Sequence, residues 1–266
     1  MKLENYELHL PSYSVGKEVY NQIGKICKPY GTKVLVIGGK KALSAAFDKI
    51  SKNAADGGLD IIGKEIYGTD CTYEAVERLA ALTSFQEADM VFAVGGGKAI
   101  DTCKCLCIEC EKPVFTFPTI ASNCAACTSV SIMYHEDGTF FKPHFFTHPA
   151  AHAFIDTQII AAAPYRYLWA GIGDTYAKNY AAETSSRGEK LPHYTKVGVG
   201  FSKMCLTPML EYGRQALEDN KKGVATEALE QVALAIVVTT AIVSIFLTRD
   251  FTPDYNSGLA HACFSR

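Results

Sequence analysis

The first 155 residues alternate between short apolar runs and longer stretches in which apolar side chains recur every three or four positions. The apolar runs predict buried parallel strands, and the wider spacing predicts amphipathic helices. The predicted strands are Lys33–Gly38, Asp60–Tyr67, Met90–Val94 and Val114–Phe117. The predicted helices are Val15–Lys28, Lys41–Asn53, Tyr73–Ser84 and Lys98–Cys110. This alternation predicts a doubly wound parallel sheet.

A different pattern follows the fourth predicted strand. Ser129–Tyr134 and Thr139–Phe145 are rich in β-forming residues, and the segment between them ends in Asp137-Gly138. This arrangement predicts a β-hairpin with an Asp-Gly turn. Ala153–Ile155 predicts one more short strand.

Beyond Thr157 the pattern is helical only, and Pro164 is placed to begin a helix. The sequence therefore predicts an α/β domain over residues 1–160, built on a parallel dinucleotide-binding sheet, followed by an all-α domain over residues 161–266.

One helical stretch raises the question of a membrane span. Val232–Thr248 is an uncharged run of 17 residues that includes Thr239, Thr240 and Ser244. Its length is at the lower limit for crossing a bilayer. A central helix buried in an all-α domain explains the run equally well, and we expect that arrangement and no membrane partner.

The balance of charge narrows the class of partner. The chain has 26 Lys and Arg against 28 Asp and Glu, so nothing in it favours nucleic acid or an acidic membrane surface. The first seven residues, Met1 to Glu7, are polar and lack the apolar core of a secretory signal. We expect a cytoplasmic protein that acts on small molecules.

Ten cysteines allow two interpretations. The spacings Cys107-x-x-Cys110 and Cys124-x-x-Cys127 resemble half-sites for structural zinc. Against zinc, Cys103, Cys107 and Cys110 follow the spacing of one helix face, which predicts thiols packed in the core. The helical spacing favours buried thiols.

The stretch from Val94 to Lys104 carries the strongest chemical signal. Three glycines, Gly95 to Gly97, lie where a predicted strand ends and a helix begins. Glycine lets the backbone approach a ligand, and the helix N-terminus offers N–H groups and a positive dipole end to a diphosphate. It is not a Walker loop, because Ala99 follows Lys98, nor G-x-G-x-x-G, because Ile100 replaces the third glycine. A glycine-rich turn without a ligand is the alternative.

Two further motifs carry potential metal ligands. Asp174 follows Gly171 and Gly173 in an apolar helical context, where a carboxylate is costly to bury unless a cation pairs with it. His261 follows small residues at the start of a possible helix. The alternatives are a helix-capping or salt-bridged Asp and a histidine of the core.

The order GGGKxxDxxK, PTIAS, AGIGDTxAK and LAHA resembles the group III, or iron-containing, metal-dependent alcohol dehydrogenases, and within them the glycerol dehydrogenase branch. The segments Ala121–Ala126 and Ala170–Thr175 look closer still to the hydroxycarboxylate dehydrogenases of that branch. The resemblance implies an oxidoreductase that moves hydride between NAD or NADP and a small alcohol or carbonyl compound. It also implies a divalent metal, which is zinc, iron or nickel.

The resemblance assigns site residues as well. The implied cofactor-binding residues are Gly96, Gly97, Lys98, Asp101, Thr119, Ile120, Ala121, Ser122, Thr128, Val130 and Tyr134. Asp174 and His261 match two of the three protein ligands of the family's metal. No side chain stands out as a general acid or base.

The sequence departs from the family's pattern after His261. A second metal-binding histidine would follow, but only five more residues are present, so we expect an incomplete helical domain. Two protein ligands fall below the three of a typical catalytic zinc site, which predicts weak metal binding and slow or absent turnover. We also expect apolar surface to be exposed around Val232–Thr248.

Two other departures affect substrate and cofactor. Cys124 stands where glycerol-specific members carry a substrate-binding Asp. Without that carboxylate, the expected substrate shifts from glycerol toward 2-oxo or 2-hydroxy acids. Gly39 stands where NAD-preferring relatives carry an Asp, and Lys40 and Lys41 follow it, so we expect NADP to bind at least as tightly as NAD.

The sequence thus predicts a metal-dependent NAD(P)-linked oxidoreductase, acting on a small 2-hydroxy or 2-oxo acid or on a polyol such as glycerol. The alternative is a catalytically impaired or inactive nucleotide-binding remnant of the same family. A homo-oligomer is compatible with either interpretation.

Overall fold

The computed structural model describes residues 5–258 and shows a parallel sheet followed by helices. The strands are β1 Tyr13–Gly16, β2 Lys33–Gly38, β3 Asp60–Ile66, β4 Met90–Gly95, β5 Val114–Pro118, β6 Val130–Tyr134, β7 Phe140–Phe145 and β8 His152–Asp156. The helices are α1 Ile23–Cys27, α2 Lys40–Asp56, α3 Tyr73–Ala80, α4 Thr83–Glu87, α5 Gly97–Ile108, α6 Thr157–Ala162, α7 Tyr165–Ser185, α8 His193–Ser202, α9 Leu206–Lys221, α10 Glu227–Leu234 and α11 Thr240–Leu247.

Six strands form one sheet in the order β1-β8-β5-β4-β2-β3, and every pair in it is parallel. The other two strands, β6 and β7, form a separate antiparallel hairpin. The fold class predicted from the sequence, an α/β part followed by helices, is confirmed.

The central strands are apolar on both faces because helices cover both. Val34 and Val36 pack in one core cluster with residues of α2, whereas Leu35 and Ile37 pack in another with residues of α5. All six residues of β4 are buried for the same reason. The strand order brings the carboxyl ends of β2, β4 and β5 side by side, which is where ligands bind in open α/β sheets.

Two predicted helices differ from the structure. The prediction of a helix over Val15–Lys28 is wrong at its start, because Val15 and Gly16 extend β1 beside β8. Four residues are too few for periodicity to reveal a strand. The predicted helix Tyr73–Ser84 is two helices, since α3 ends at Ala80 and α4 begins at Thr83.

The helical part is built around α10 and α11, which a π-helical turn at Ala235–Thr239 joins into one helix over Glu227–Leu247. This helix is long and apolar enough to cross a membrane by length and composition, but 67% of its most apolar 18-residue window is buried inside the protein. Core helices of soluble proteins share this property. The expectation that apolar surface is exposed around Val232–Thr248 is wrong, since α9 and α6 pack on α10 and α8 packs on α11.

Candidate nucleotide-binding cleft

The glycine turn connects β4 to α5. Gly95 has φ +155°, a value that L side chains rarely adopt, and a Cβ there would lie 2.9 Å from the Cβ of Ala99. A Cβ on Gly96 would lie 2.7 Å from Cδ1 of Ile120. Gly96 is the N-cap of α5. Because glycine has no side chain, it cannot accept a hydrogen bond from the first N–H groups of this helix. The turn therefore fits an anionic group such as a diphosphate.

The turn opens on a cleft of about 1060 Å³ that also borders the start of α7. This is the upper end of the size range of ligand pockets. Most of the predicted cofactor residues line it. They are Gly96, Gly97, Lys98, Asp101, Thr119, Ile120, Ser122 and Tyr134.

Lys98 lies at the mouth of the turn with two partners. Its ammonium forms an ion pair with Asp70 and lies 5.0 Å from the ring centroid of Tyr134. The aromatic face and the carboxylate hold the cation beside the glycines. A bound diphosphate would compete with Asp70 for this ammonium.

Asp101 anchors the hairpin to α5. Its carboxylate pairs with the Lys104 ammonium at 3.0 Å and accepts the N–H of Ile132 at 3.1 Å. Its backbone carbonyl accepts the Ser131 hydroxyl at 3.0 Å. Burial raises the pKa of Asp101, and the nearby Lys104 charge opposes that rise. Asp101 borders the cleft, and its hydrogen bonds to Ser131 and Ile132 hold β6 in place as part of the cleft wall.

Three of the predicted cofactor residues lie behind the cleft wall in the described chain. The buried Lys104 ammonium donates hydrogen bonds to the backbone carbonyls of Thr128 and Val130, at 3.2 and 2.6 Å. Ala121 is buried, and its carbonyl oxygen lies where a Cβ on Gly171 of α7 would have to go. These residues support the wall, while Ile132 and Tyr134 of the hairpin face the cleft.

Several lining residues were missed by sequence reasoning. They are Tyr67, Asn123, Ile132, Gln158, Arg166, Tyr167 and Lys49. Lys49 pairs with the buried Asp156 at 2.8 Å, and Asp156 caps α6 by accepting the N–H groups of Gln158 and Ile159. The nearest sequence signal was Pro164, which predicts where α7 begins but not that its first turn borders the cleft.

Gly39, Lys40 and Lys41 line the cleft where β2 meets α2. Gly39 has ordinary extended backbone angles, φ −79° and ψ 146°, and a Cβ there would make only an ordinary contact of 3.5 Å with the Tyr67 ring. A Cβ is therefore tolerated at this position. The two lysines provide positive charge close by.

Cys124 directly follows Ser122 and Asn123 in the same loop and is partly buried. Burial raises the pKa of its thiol to about 12, and the charges of Lys178 and Asp174 act on it in opposite directions. Asp174 is itself partly buried on α7. Cys124 and these two residues therefore share one region of the structure.

The metal ligands predicted from sequence are placed only in part. His261 lies outside the described residues, and residues 5–258 contain no group of three His, Cys, Asp or Glu side chains that could hold a metal ion. The donor set of residues 5–258 by itself does not make a metal site.

The cysteines of α5 pack in the core, with one exception. Cys103, Cys105 and Cys107 are buried, and burial raises the pKa of each thiol. The prediction that Cys110 also points into the core is wrong, because α5 ends at Ile108 and Cys110 is exposed in the turn that follows.

The fold is a parallel α/β sheet, with a cleft at the carboxyl ends of its central strands, followed by a helical part. Residues 11–156 match the family of iron-containing alcohol dehydrogenases, and the chain belongs to that family.

Among similar proteins, a glycerol dehydrogenase from Escherichia coli O6:H1 is 32% identical over 224 residues, which cover 83% of this chain and 61% of that protein. Hydroxycarboxylate dehydrogenase A from Escherichia coli K12 is 32% identical, covering 77% of this chain and 56% of that protein. The crystal structure of a probable glycerol dehydrogenase from Sinorhizobium meliloti 1021 superposes with a TM-score of 0.81 at 25% identity, covering 98% of this chain and 71% of that one. The chain thus spans about three fifths of the length of these curated relatives.

Proposed function

We propose that this protein binds NAD or NADP in the cleft and is part of a dehydrogenase that interconverts a small alcohol and its carbonyl compound. The observation that carries the proposal is the Gly95–Gly97 turn, which opens the uncapped N-terminus of α5 onto a cleft of dinucleotide size. The names of the relatives, glycerol, glycolaldehyde and hydroxycarboxylate oxidoreductases, support the same class of reaction.

Each part of the cleft has a role in this proposal. The glycine turn and Lys98 bind the diphosphate, and Tyr134 with Ile132 borders the bound cofactor from the hairpin side. A bound nicotinamide supplies the hydride chemistry: reduction of a 2-oxo acid adds one hydride to the carbonyl carbon and one proton to its oxygen. We assign the proton to solvent.

Direct titration tests the nucleotide step. Purified protein is titrated with NADH and NADPH, following the nicotinamide fluorescence. Saturable binding of either nucleotide is expected, and lack of saturation with both would overturn the proposal. Gly200→Val is a matched control for variants of the turn, because Gly200 lies on α8 and a Cβ there would meet no atom within 4 Å.

We further propose that NADP binds at least as tightly as NAD. Lys40 and Lys41 lie beside Gly39 at the cleft, where the 2′-phosphate of NADP would meet positive charge. Gly39→Asp places a carboxylate there, with a Cβ that makes only an ordinary contact with the Tyr67 ring, and should reverse the preference by repelling the phosphate. A wild-type protein that strongly prefers NAD, and a variant that does not respond, would contradict this assignment.

For the chemistry beyond nucleotide binding, we propose that residues 161–266 carry the substrate and metal half, with Asp174 and His261 as candidate ligands of zinc, iron or nickel. The substrate is a 2-oxo or 2-hydroxy acid or a polyol. Metal content after dialysis, compared between wild type and Asp174→Asn, tests the ligand assignment. Equal retained metal in both proteins would remove Asp174 from the set.

A second candidate is a nucleotide-binding remnant without catalysis, which would use the same cleft but would need no metal site. Both candidates bind nucleotide in the cleft, but only the dehydrogenase would retain a metal ion and reduce a carbonyl substrate. Nucleotide binding without retained metal and without carbonyl reduction would support the remnant.

A further inference from the structure

Lys104 of α5 is a fully buried cation behind the wall of the cleft. Its ammonium forms an ion pair with Oδ1 of Asp101 at 3.0 Å. It also donates hydrogen bonds to the carbonyl and the hydroxyl of Thr128, at 3.2 and 3.1 Å, and to the carbonyl of Val130 at 2.6 Å. An ammonium has three donors, so these acceptors satisfy it inside the protein. Lys104 therefore acts on the cleft through the groups that it holds, and not by binding a ligand itself.

Lys104 and its ion-pair partner join α5 to the hairpin strand that borders the cleft. The acceptors of Lys104 end at Val130, the first residue of β6, and Asp101 holds the next two residues of that strand. The Asp101 carbonyl accepts the Ser131 hydroxyl at 3.0 Å, and its carboxylate accepts the Ile132 N–H at 3.1 Å. Because α5 also begins at the glycine turn, these contacts fix the start of β6 relative to the proposed diphosphate site.

The position of the hairpin assigns it to one half of the cofactor. In the proposed function, the diphosphate lies on the glycine turn after β4 and the adenosine half lies near Gly39, after β2. In the sheet, β2 and β5 are on opposite sides of β4. The chain after β5 lines the cleft at Thr119 and Asn123 and continues into the hairpin, whose Ile132 and Tyr134 also line it. The nicotinamide half extends from the diphosphate away from Gly39, so it would lie on the hairpin side.

We propose that Lys104 is a positioning residue for the nicotinamide half of the cofactor, because from behind the cleft wall it holds β6 where Ile132 and Tyr134 contact that half. This inference rests on the proposed dehydrogenase function. The groups proposed for the rest of the cofactor, Gly39 and the glycine turn, lie outside the hairpin. Loss of the Lys104 ammonium should therefore weaken contacts with the nicotinamide half more than contacts with the adenosine and the diphosphate.

The test compares each whole nucleotide with a fragment that lacks the nicotinamide: NADH with ADP-ribose, and NADPH with 2′-phospho-ADP-ribose. Calorimetric titrations of the 266-residue protein give the ratio of nucleotide affinity to fragment affinity for the pair that binds more tightly. We expect a wild-type ratio of about ten or more. In Lys104→Met the nucleotide affinity should fall about tenfold while the fragment affinity changes by less than about twofold, because the lost hydrogen bonds release only the hairpin.

A milder variant leaves the ion pair in place. Thr128→Val removes the hydroxyl that accepts from the Lys104 ammonium and keeps the shape of the side chain. It should lower the ratio in the same direction by about threefold, and it decides the outcome if Lys104→Met does not fold.

Lys112→Met is the matched control. The Lys112 ammonium also donates to two backbone carbonyls, those of Phe85 and Ala88, but these belong to α4 and the residue after it and not to the hairpin. This variant should lower thermal stability and leave the ratio unchanged.

Two results would overturn the inference: a wild-type ratio near one, or a ratio that the folded Lys104→Met protein, or otherwise Thr128→Val, leaves unchanged. A merely structural role for Lys104 would weaken nucleotide and fragment alike, which is the second of these results. Failure of the proposed function gives a different result, since wild-type protein would then bind neither nucleotide, and both proposals would be refuted. Nucleotide binding with an unchanged ratio refutes only the role of Lys104.

Discussion

At the scale of single residues, the glycine turn depends on space that a side chain would fill. The structure shows that a Cβ on Gly97 would lie 2.6 Å from Nδ2 of Asn123, another residue of the cleft wall. Substitution would therefore disturb the wall as well as the proposed diphosphate site. Gly97 is the first residue of α5, so its surroundings, and not a left-handed backbone, require glycine.

We predict that Gly97→Val abolishes NAD(P)H binding in a folded protein. The β-branched side chain would collide with Asn123 and occupy space beside the helix N-terminus. Fluorescence titration measures the loss. The double variant Gly97→Val with Asn123→Ala separates the two causes: recovery would assign the loss to the collision, and continued loss would assign it to the filled diphosphate site. Unchanged affinity in the single variant would contradict the prediction.

A second residue, His152 of β8, should make folding stability depend on pH. Its Nδ1 lies 2.7 Å from the Ser12 hydroxyl and its Nε2 lies 2.9 Å from the Ser14 hydroxyl, so the ring joins β8 to the segment around β1. Burial lowers the pKa of His152 from 6.5 to about 4. Because the folded pKa is below the unfolded one, the neutral ring contributes stability that is present above pH 6.5 and is lost as the pH falls toward 4.

We predict that this group alone makes the protein about 2 kcal/mol less stable at pH 5 than at pH 7. Urea unfolding at the two pH values measures the difference. In His152→Asn the pH-dependent difference should shrink by about that amount, although the variant is less stable at pH 7. The same pH dependence in both proteins would show that His152 does not titrate as inferred.

At the scale of elements, the contact between α7 and the loop after β5 fixes one wall of the cleft. Gly171 is buried, and a Cβ there would collide with the carbonyl oxygen of Ala121 and approach Cδ1 of Ile236 to 2.9 Å. Gly173, two residues later on the same helix, is exposed, and a Cβ there would meet no atom within 4 Å. The two glycines therefore make a matched pair.

We predict opposite effects of alanine at these two positions. Gly171→Ala should destabilise the protein by about 1–3 kcal/mol, because α7 must move away from the loop, and it should weaken NAD(P)H binding. Gly173→Ala should stabilise the helix by up to about 1 kcal/mol and leave nucleotide binding unchanged. Thermal unfolding and nucleotide titration measure both effects. Equal stability of the two variants would mean that α7 is not in tight contact with this loop at Gly171.

The elements also show what the sequence could predict. The strands of the central sheet and the hairpin were predicted within one or two residues, because long apolar runs and an Asp-Gly turn are strong local signals. The strand β1 was missed, since four residues paired with β8 depend on a partner some 140 positions away. A core helix over Val232–Thr248 was expected together with exposed apolar surface around it; the exposure was not found, because the covering helices are brought together only by the tertiary structure.

The same distinction applies to the site. The glycine turn is a local signal, and its contacts with the cleft follow from strand-to-helix geometry. Arg166, Gln158 and Lys49 reach the cleft from three separate segments, and no local pattern marks them. Thr128 and Val130 were assigned to the cofactor by resemblance, whereas their carbonyls serve the buried ammonium of Lys104. A buried cation of this kind is recognisable only once its acceptors are in place.

At the scale of the whole molecule, one hydrophobic core runs through both parts of the chain. The cluster that contains Leu35 and Val91 of the sheet also contains Ile236 and Val232 of the long apolar helix. Ile236 is fully buried, and its side chain faces α7 at Gly171. Because these contacts are continuous, loss of packing in the helical part should also lower the stability of the sheet.

We predict that Ile236→Ala destabilises the sheet as well as the helices, by about 2–5 kcal/mol in global stability. Hydrogen exchange followed by mass spectrometry measures this in peptides covering β4 and α10. Both peptides should lose protection by a similar factor, because cooperative unfolding exposes them together. Val224→Ala, at a side chain that is 47% exposed, is the control and should leave both peptides unchanged. Loss of protection confined to α10 would show instead that the helical part opens independently of the parallel sheet, and that the shared core does not couple them.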